Sequence, residues 1–404
     1  MRPLKILVTD GNNRAALAIT RSLGSKGHSI VVGEKVQPSL AQTSRYCVES
    51  VTYPDPAVDS VGFVQTLLRT VKELQIDVVL PVAEITTALV AEHKSALGQH
   101  RRVPFPDIAT FDRAANKVGV LALAGKLSIP IPTGVVLTRP GDQPLWPDGL
   151  CFPIVVKPHR SRILVNGTWQ STFVMYAESA NDLTEILAAK NPGEYPILLQ
   201  QRIIGPGVGV FMCYQRGKLV AQFSHRRLRE KPPSGGVSVL RESVPVSPQA
   251  KRYAQALLDA LKWQGVAMVE FKLDQSDQTL KLMEINGRFW GSLQLAIDAG
   301  VDFPDLLLQT MSDEPMEPID TYRLGVKSRW FLGDLDALLI RLFMRHDKLH
   351  LPPGHDGKLC SILRFMRIWQ KDTYNEIFRL SDMKPGLYEA KRWFSQVMLK
   401  SAKF

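Results

Sequence analysis

The sequence predicts a multidomain chain, α/β at its start, α+β through its middle and mainly helical at its end. Three observations carry this. Early residues alternate strand, helix and strand, the order that builds a parallel sheet. The middle carries runs of apolar alternation joined by tight turns, the mark of antiparallel pairing. At 404 residues, 45% of them hydrophobic, the chain is long for one domain and ample for several cores.

The elements follow in order. "KILVTD" reads as a strand, "GNNRAALAITRSLGSKG" as a turn and an amphipathic helix, and "HSIVVGEK" as the next strand. "VGFVQTLLRTVKELQI" is a second helix and "DVVLPVAE" a third strand. Residues 1–110 therefore form a Rossmann-like domain. Its "GNNR" loop lacks the GxGxxG spacing that brings a backbone up to a pyrophosphate, and Glu34 is a weak ribose partner. Dinucleotide binding is not expected. Glu84 follows a strand at the edge where α/β sheets hold ligands. It suits a substrate ammonium or a helix cap.

"FDRAANKVGVLALAGKLSI" is helical, and the prolines of "PIPTGVVLT" mark a stiff passage into a new domain. "CFPIVVKPHRSR" is a strand ending in Lys157, "NGTWQSTFVMYAES" a strand pair, and "ANDLTEILAAK" a short helix. "YPILLQQRIIGPGVGVFMCYQRGKLVAQFSHRRLRE" reads as three antiparallel strands, with "QRGK" the clearest turn. After the helix "PQAKRYAQALLDALKWQG" comes a hairpin, "VAMVEFKLDQSDQTLKLMEINGRFWGS". From about Leu335 the chain is mainly helical, broken at "LPPGHDGK".

The formal net charge is +11; from Met316 onward 16 Lys or Arg face 10 Asp or Glu, so that tail holds a disproportionate share. Such charge attracts anions or simply solubilises. Trp369, Tyr374 and Trp393 form no regular aromatic–basic repeat, so nucleic acid is not the expected partner. "SILRFMRIWQK" is basic with apolar periodicity, suited to a peripheral anionic surface or to a helical cover on the core. Cys47, Cys151, Cys213 and Cys360 lie too far apart for a zinc knuckle and fit a reducing compartment, the cytoplasm. No secretory signal opens the sequence, and no apolar run reaches membrane-spanning length.

The densest polar signal is "LMEINGRFWGS". Alternation places Glu284, Asn286 and Arg288 on one face of a strand end. The hairpin brings Glu270 beside Glu284. Carboxylate and amide oxygens are hard ligands suited to Mg²⁺, which is usually completed by phosphates. Positive groups should face it: Lys157 at an apolar strand's end, Lys117 in an apolar helical pattern, and Arg288. "LLQQRIIGPGVGV" lacks the ending of a Walker A loop; it offers strand-edge backbone and the aliphatic Ile203 and Ile204 to an adenine ring, or merely a hairpin turn.

In this order the segments resemble the ATP-grasp superfamily, its carboxylate–amine ligase and carbamoyl-phosphate-synthase-like branch, over roughly residues 4–315. The resemblance implies a pre-ATP-grasp domain (1–110), an ATP-grasp domain (111–318, with a lid at about 135–200 and a metal-binding sheet at about 201–315) and a basic, mainly helical extension (319–404). It implies that Lys117 and Lys157 contact ATP phosphates, that Gln201, Arg202, Ile203 and Met283 surround the adenine, and that Glu270, Glu284 and Asn286 hold Mg²⁺, for which Mn²⁺ is a substitute. Arg288 would meet the phosphoryl group. Asn12, Arg14 and Glu84, with His225, Arg227, Gly235 and Gly236, would line substrate pockets, Arg226 and Arg229 beside them. Two departures stand out. Pro206 occupies the place of an acid that commonly holds ribose, and the phosphate loop "HRSRILVNGTW" is basic, with His159, Arg160 and Arg162 in place of glycines. The implied reaction joins a small carboxylic acid to an amine through an acyl-phosphate; transfer to a hydroxyl is the alternative. A homodimer is compatible with the resemblance.

Overall fold

The structure, a computed structural model, describes residues 2–98, 103–143, 145–233, 236–344, 349, 357–367 and 370–401. Four parallel strands open it: β1 (Lys5–Val8), β2 (Ser29–Glu34), β3 (Cys47–Thr52) and β4 (Val78–Leu80), in the order β3-β2-β1-β4. Strand order reverses at β1, so the gap between the ends of β1 and β4 is the topological switch point where α/β sheets receive ligands. Asp10 ties the two ends together. Its carboxylate accepts from the Val82 and Ala83 amides (3.1 and 2.9 Å) and from the Thr86 hydroxyl at 2.6 Å. This anchors the start of the helix Glu84–Glu92, with Glu84 at its first position.

The segment expected to form a lid has its own small sheet and core. It contains β5 (Gly134–Leu137), β6 (Ile154–Pro158), the separate hairpin β7 (Arg162–Val165) and β8 (Thr168–Ser171), then β9 (Met175–Ala177) and β10 (Ile197–Gln201). The sheet runs β5-β10-β6-β9, and Leu137, Ile154, Val156, Leu183, Ile197 and Leu199 close over one another beneath it.

The largest sheet takes β11 (Gly207–Gln215), β12 (Lys218–Lys231), β13 (Val237–Ser243), β14 (Gly265–Leu273), β15 (Leu280–Asn286), β16 (Lys327–Arg329) and β17 (Thr373–Asn375), in the order β15-β14-β11-β12-β13-β16-β17. The "QRGK" turn joins β11 to β12 with positive φ at both central residues, Arg216 (49°) and Gly217 (76°), as a tight two-residue hairpin requires. Both faces of the sheet are covered. Phe211, Cys213, Phe223, Val266 and Met268 pack toward the N-terminal domain. Val210, Met212, Tyr214, Ala267, Val269 and Phe271 pack on the helices Lys117–Lys126 and Pro248–Ala260. Double burial explains why β11 reads as a continuous apolar run.

The last part of the chain, read from sequence as a mainly helical extension, also contributes strands. β16 pairs with β13, and β17 lies parallel to β16. Beyond β17, Asp382 accepts from Arg21 Nε at 2.8 Å and from Ser44 Oγ at 2.6 Å, both on the N-terminal domain. Among the described residues no helix is long and apolar enough to cross a membrane.

Candidate active site

The hairpin β14–β15 sets Glu270 directly opposite Glu284. Between Glu270 and Phe271 the register slips, because β15 carries one extra residue, Met283. This bulge changes the phase of the strand. Leu280 and Leu282 before it and Ile285 after it all reach the core, while Met283, Glu284 and Asn286 stay half-buried. Simple alternation would have placed Leu282 on the same side as Glu284; the bulge separates them.

Around Glu284 the sequence-predicted groups meet. Asn286 Nδ2 donates to Glu284 Oε1 at 2.9 Å, and Arg288 Nη2 to Asn286 Oδ1 at 3.3 Å. Lys117, only 7% exposed, opens the helix Lys117–Lys126; its ammonium lies 3.5 Å from Glu284 Oε2 and donates to Ser161 Oγ at 2.8 Å. Its backbone N–H donates to the His159 carbonyl at 2.8 Å, which joins this helix to the basic loop after β6. A crevice between these elements is lined by Lys117, Ser161, Glu284, Asn286, Arg288 and Glu84. Glu84 thus brings the switch point of the first sheet to the end of the β14–β15 hairpin.

Glu270 has a different partner. Arg227 Nη2 donates to Glu270 Oε1 at 2.9 Å, and its Nη1 to Glu230 at 3.1 Å. The pair passes over Gly207 of β11; a Cβ there would stand 3.8 Å from the guanidinium and 3.9 Å from the carboxylate. Burial raises the Glu270 carboxyl above its ordinary range, Glu284 adds to the rise, and Arg227 opposes it. Burial pushes Glu284 the same way, but Lys117, the Asn286 amide, Lys157 and Arg288 outweigh it and hold that carboxyl low. Lys157, on β6, is lowered by burial beside Lys117, with Glu284 and Glu270 working against the shift. Two carboxylates therefore stand among four cations, Lys117, Lys157, Arg227 and Arg288.

Gln201 ends β10, and its backbone N–H donates to the Thr133 carbonyl at 2.8 Å. Arg202 lies 5.2 Å from the Tyr176 ring centroid, and Ile203 is buried, its carbonyl accepting from Lys272 Nζ at 3.1 Å. The glycines that follow are not a hairpin turn. Gly205 has φ +153°, and a Cβ on it would fall 1.8 Å from the Leu273 carbonyl oxygen, so the crossing from β10 to the large sheet depends on close backbone approach.

Other sequence candidates lie elsewhere. His225 is buried against Phe211, with Nε2 2.8 Å from Ser292 Oγ, and does not face the crevice. Arg226 points to the opposite side of β12 from Arg227 and pairs with Glu242, and Arg229 pairs with Asp334 at 2.5 Å. Arg160 pairs with Asp112 at 2.9 Å. The Asn12 backbone N–H donates to Glu34 Oε2 at 2.8 Å, which occupies the acid considered for ribose. Arg14 pairs with Glu376 at 2.5 Å. Gly236 precedes β13, and a Cβ there would be 2.5 Å from the Lys231 carbonyl; Gly235 lies outside the described residues. Sequence reasoning missed Ser161, the hydroxyl on Lys117, although it sits within the "HRSR" run already singled out.

Residues 194–331 match the family model described as ATP-grasp in the biosynthetic pathway with Ter operon. Among solved structures, an L-amino acid ligase from Bacillus licheniformis is 17% identical, with TM-score 0.61 over 78% of this chain and 76% of that one. Biotin carboxylase from Campylobacter jejuni is 12% identical, with TM-score 0.62 over 80% and 74%. N5-carboxyaminoimidazole synthetase from Staphylococcus aureus is 13% identical, with TM-score 0.61 over 80% of each chain. Comparison with curated protein sequences finds no match. The family model matches this one stretch of the chain, and the solved structures, all at 17% identity or less, share its fold.

Proposed function

We propose that the protein is an ATP-dependent carboxylate–amine ligase that forms an amide or peptide-like bond through an acyl-phosphate, releasing ADP and phosphate. The observation that carries this reading is the convergence of Lys117, Glu284, Asn286, Arg288 and Glu84 on one crevice. Glu270, Glu284 and Asn286 fit Mg²⁺: two carboxylates and an amide, all hard oxygen donors, on adjoining strands. When bound, the ion supplies charge neutralisation at the β- and γ-phosphates.

The chain's own groups do the rest. Lys117 and Lys157 stabilise charge on the phosphoryl oxygens, and their enclosure strengthens that interaction. Arg288 orients the transferred phosphoryl group beside the acid. Arg227 leaves Glu270 Oε2 outside its hydrogen bond and offsets that carboxylate's charge before nucleotide arrives. Gln201, Arg202, Ile203 and Met283 form the adenine seat. Catalysis is alignment and exclusion of water under the lid. The small carboxylic acid and the amine enter from the switch point near Glu84.

The tail's cations support this reading over nucleic-acid binding. Among the described residues, Arg329 is paired with Asp334, Arg379 with Asp298 and Lys327 with Glu242, so these three cations are turned to acids of the chain rather than to an external anion. Release of ADP over pools of carboxylic acids and amines, with mass analysis of the product, tests the proposal. An amide product dependent on Glu284 is expected. A phosphorylated or ester product would favour the hydroxyl acceptor instead.

A further inference from the structure

The helix Lys358–Met366 is fastened to the large sheet by its inner face. Phe365 is buried, its ring centroid 4.4 Å from the Arg329 guanidinium carbon and 5.7 Å from the Phe331 ring. Its carbonyl accepts from Arg329 Nη2 at 2.9 Å, and the Arg364 carbonyl accepts from Arg229 Nη1 at 3.3 Å. These contacts fix which side of the helix faces outward. That outer side carries Leu359, Leu363 and Met366, at the i, i+4, i+7 spacing of one helical stripe. Lys358 Nζ donates to the Leu342 carbonyl at 2.8 Å, which brings Phe343, the last residue of the helix Phe331–Phe343, to the head of the stripe. The four apolar side chains are between 59% and 81% exposed.

Single exposed apolar residues are ordinary, whereas a contiguous group of them marks a surface that meets a partner. Charge indicates which partner. From Lys358 to Lys371 the sequence holds Lys358, Arg364, Arg367 and Lys371 and no acid; Asp372 closes the run. Arg367 and Lys371 are exposed, and helical spacing puts Arg367 along one edge of the stripe. Two copies of this face would bring like charges together, which disfavours self-association. A duplex backbone would satisfy the cations but leave the apolar stripe uncovered. An anionic lipid surface meets both needs, acyl chains taking the stripe and lipid phosphates the cations. We propose that the helix Lys358–Met366, together with Phe343, is a docking face for an anionic membrane. Leu359, Leu363 and Met366 enter the boundary between headgroups and acyl chains, while Arg367 and Lys371 reach up to phosphate. None of these residues lines the crevice around Lys117 and Glu284, so the inference goes beyond the ligase reading and does not depend on it.

The test is flotation of the full chain with lipid vesicles. Wild type is expected to float with vesicles of equimolar phosphatidylcholine and phosphatidylglycerol, to stay behind with phosphatidylcholine alone, and to be released by high salt, which screens the cations. The double variant Leu363→Asp, Met366→Asp changes only exposed positions. It is expected to lower affinity for the anionic vesicles by at least about tenfold, with melting temperature and ADP affinity unchanged. The double variant Arg367→Gln, Lys371→Gln is expected to weaken binding and flatten its salt dependence. Wild type that does not float, equal binding to neutral vesicles, or an aspartate variant that floats like wild type would each overturn the proposal. Two other occupants would do so as well. Retention on duplex DNA without flotation assigns the face to nucleic acid, and a dimer dissolved by Leu363→Asp without flotation assigns it to a second copy of the chain.

Discussion

Removing Glu376 should cost more than removing any surface charge. Its side chain is 2% exposed and stands between Arg14 and Arg241, the latter 1% exposed, at 2.5 Å from each. Glu376→Ala leaves a wholly buried guanidinium without its counter-charge. Breaking a buried pair in this way costs about 3–5 kcal/mol, a large share of the roughly 5–15 kcal/mol that holds a typical protein folded. At about 2–4 °C per kcal/mol for a large domain, melting followed by circular dichroism should fall by on the order of 10 °C. The pH dependence has a definite sign. Burial pushes the Glu376 carboxyl up, but Arg14 and Arg241 outweigh it and the net shift is downward. A depressed folded-state value gives stability that is present above the unfolded-state value and lost as pH falls through the folded one. Wild type should therefore lose stability on acidification below the ordinary glutamate range, and Glu376→Ala should lack that component. A variant melting within about 2 °C of wild type, with the same acid limb, would refute the buried-network reasoning.

Two further outcomes follow from single contacts. Lys157→Met removes an amine whose charge burial already disfavours, so melting should hold or rise while kcat for ADP release falls by about 10²-fold or more; lost activity with lost folding would count against a phosphate role. Gly205→Ala would drive a Cβ against the Leu273 carbonyl, costing about 1–3 kcal/mol and raising KM for ATP; a wild-type melting curve and KM would show that the hinge does not depend on that approach.

Much of the site was legible because its signals are local. The hairpin "VAMVEFKLDQSDQTLKLMEINGR" places Glu270 by Glu284 whatever the rest of the chain does, and Asn286 and Arg288 follow by spacing. What escaped depends on register or on distant pairing. The bulge at Met283 changes which side Leu282 takes, and no residue type in that run announces it. Arg227 reaches Glu270 only because β11 lies between their strands with Gly207 beneath the ion pair. His225, on the same alternation as Arg227, was drawn to the pocket by charge pattern, yet Ser292 and Phe211 enclose it. β17 is three residues long, "TYN", too short for periodicity to reveal, and its parallel pairing joins segments more than forty residues apart. Glu376 and Asp382 are core partners of arginines near the start of the chain, pairings across 362 and 361 residues that no local spacing reveals.

The central claim is that Glu270 and Glu284 jointly seat a metal beneath the nucleotide phosphates, and calorimetric titration of ADP with and without Mg²⁺ tests it most directly. Mg²⁺ should tighten ADP binding to wild type, the gain should fade on acidification sooner than an ordinary glutamate would allow because Glu270 is raised, and either Glu270→Gln or Glu284→Gln should abolish it. Mg²⁺-enhanced ADP binding that survives in both variants would contradict the claim.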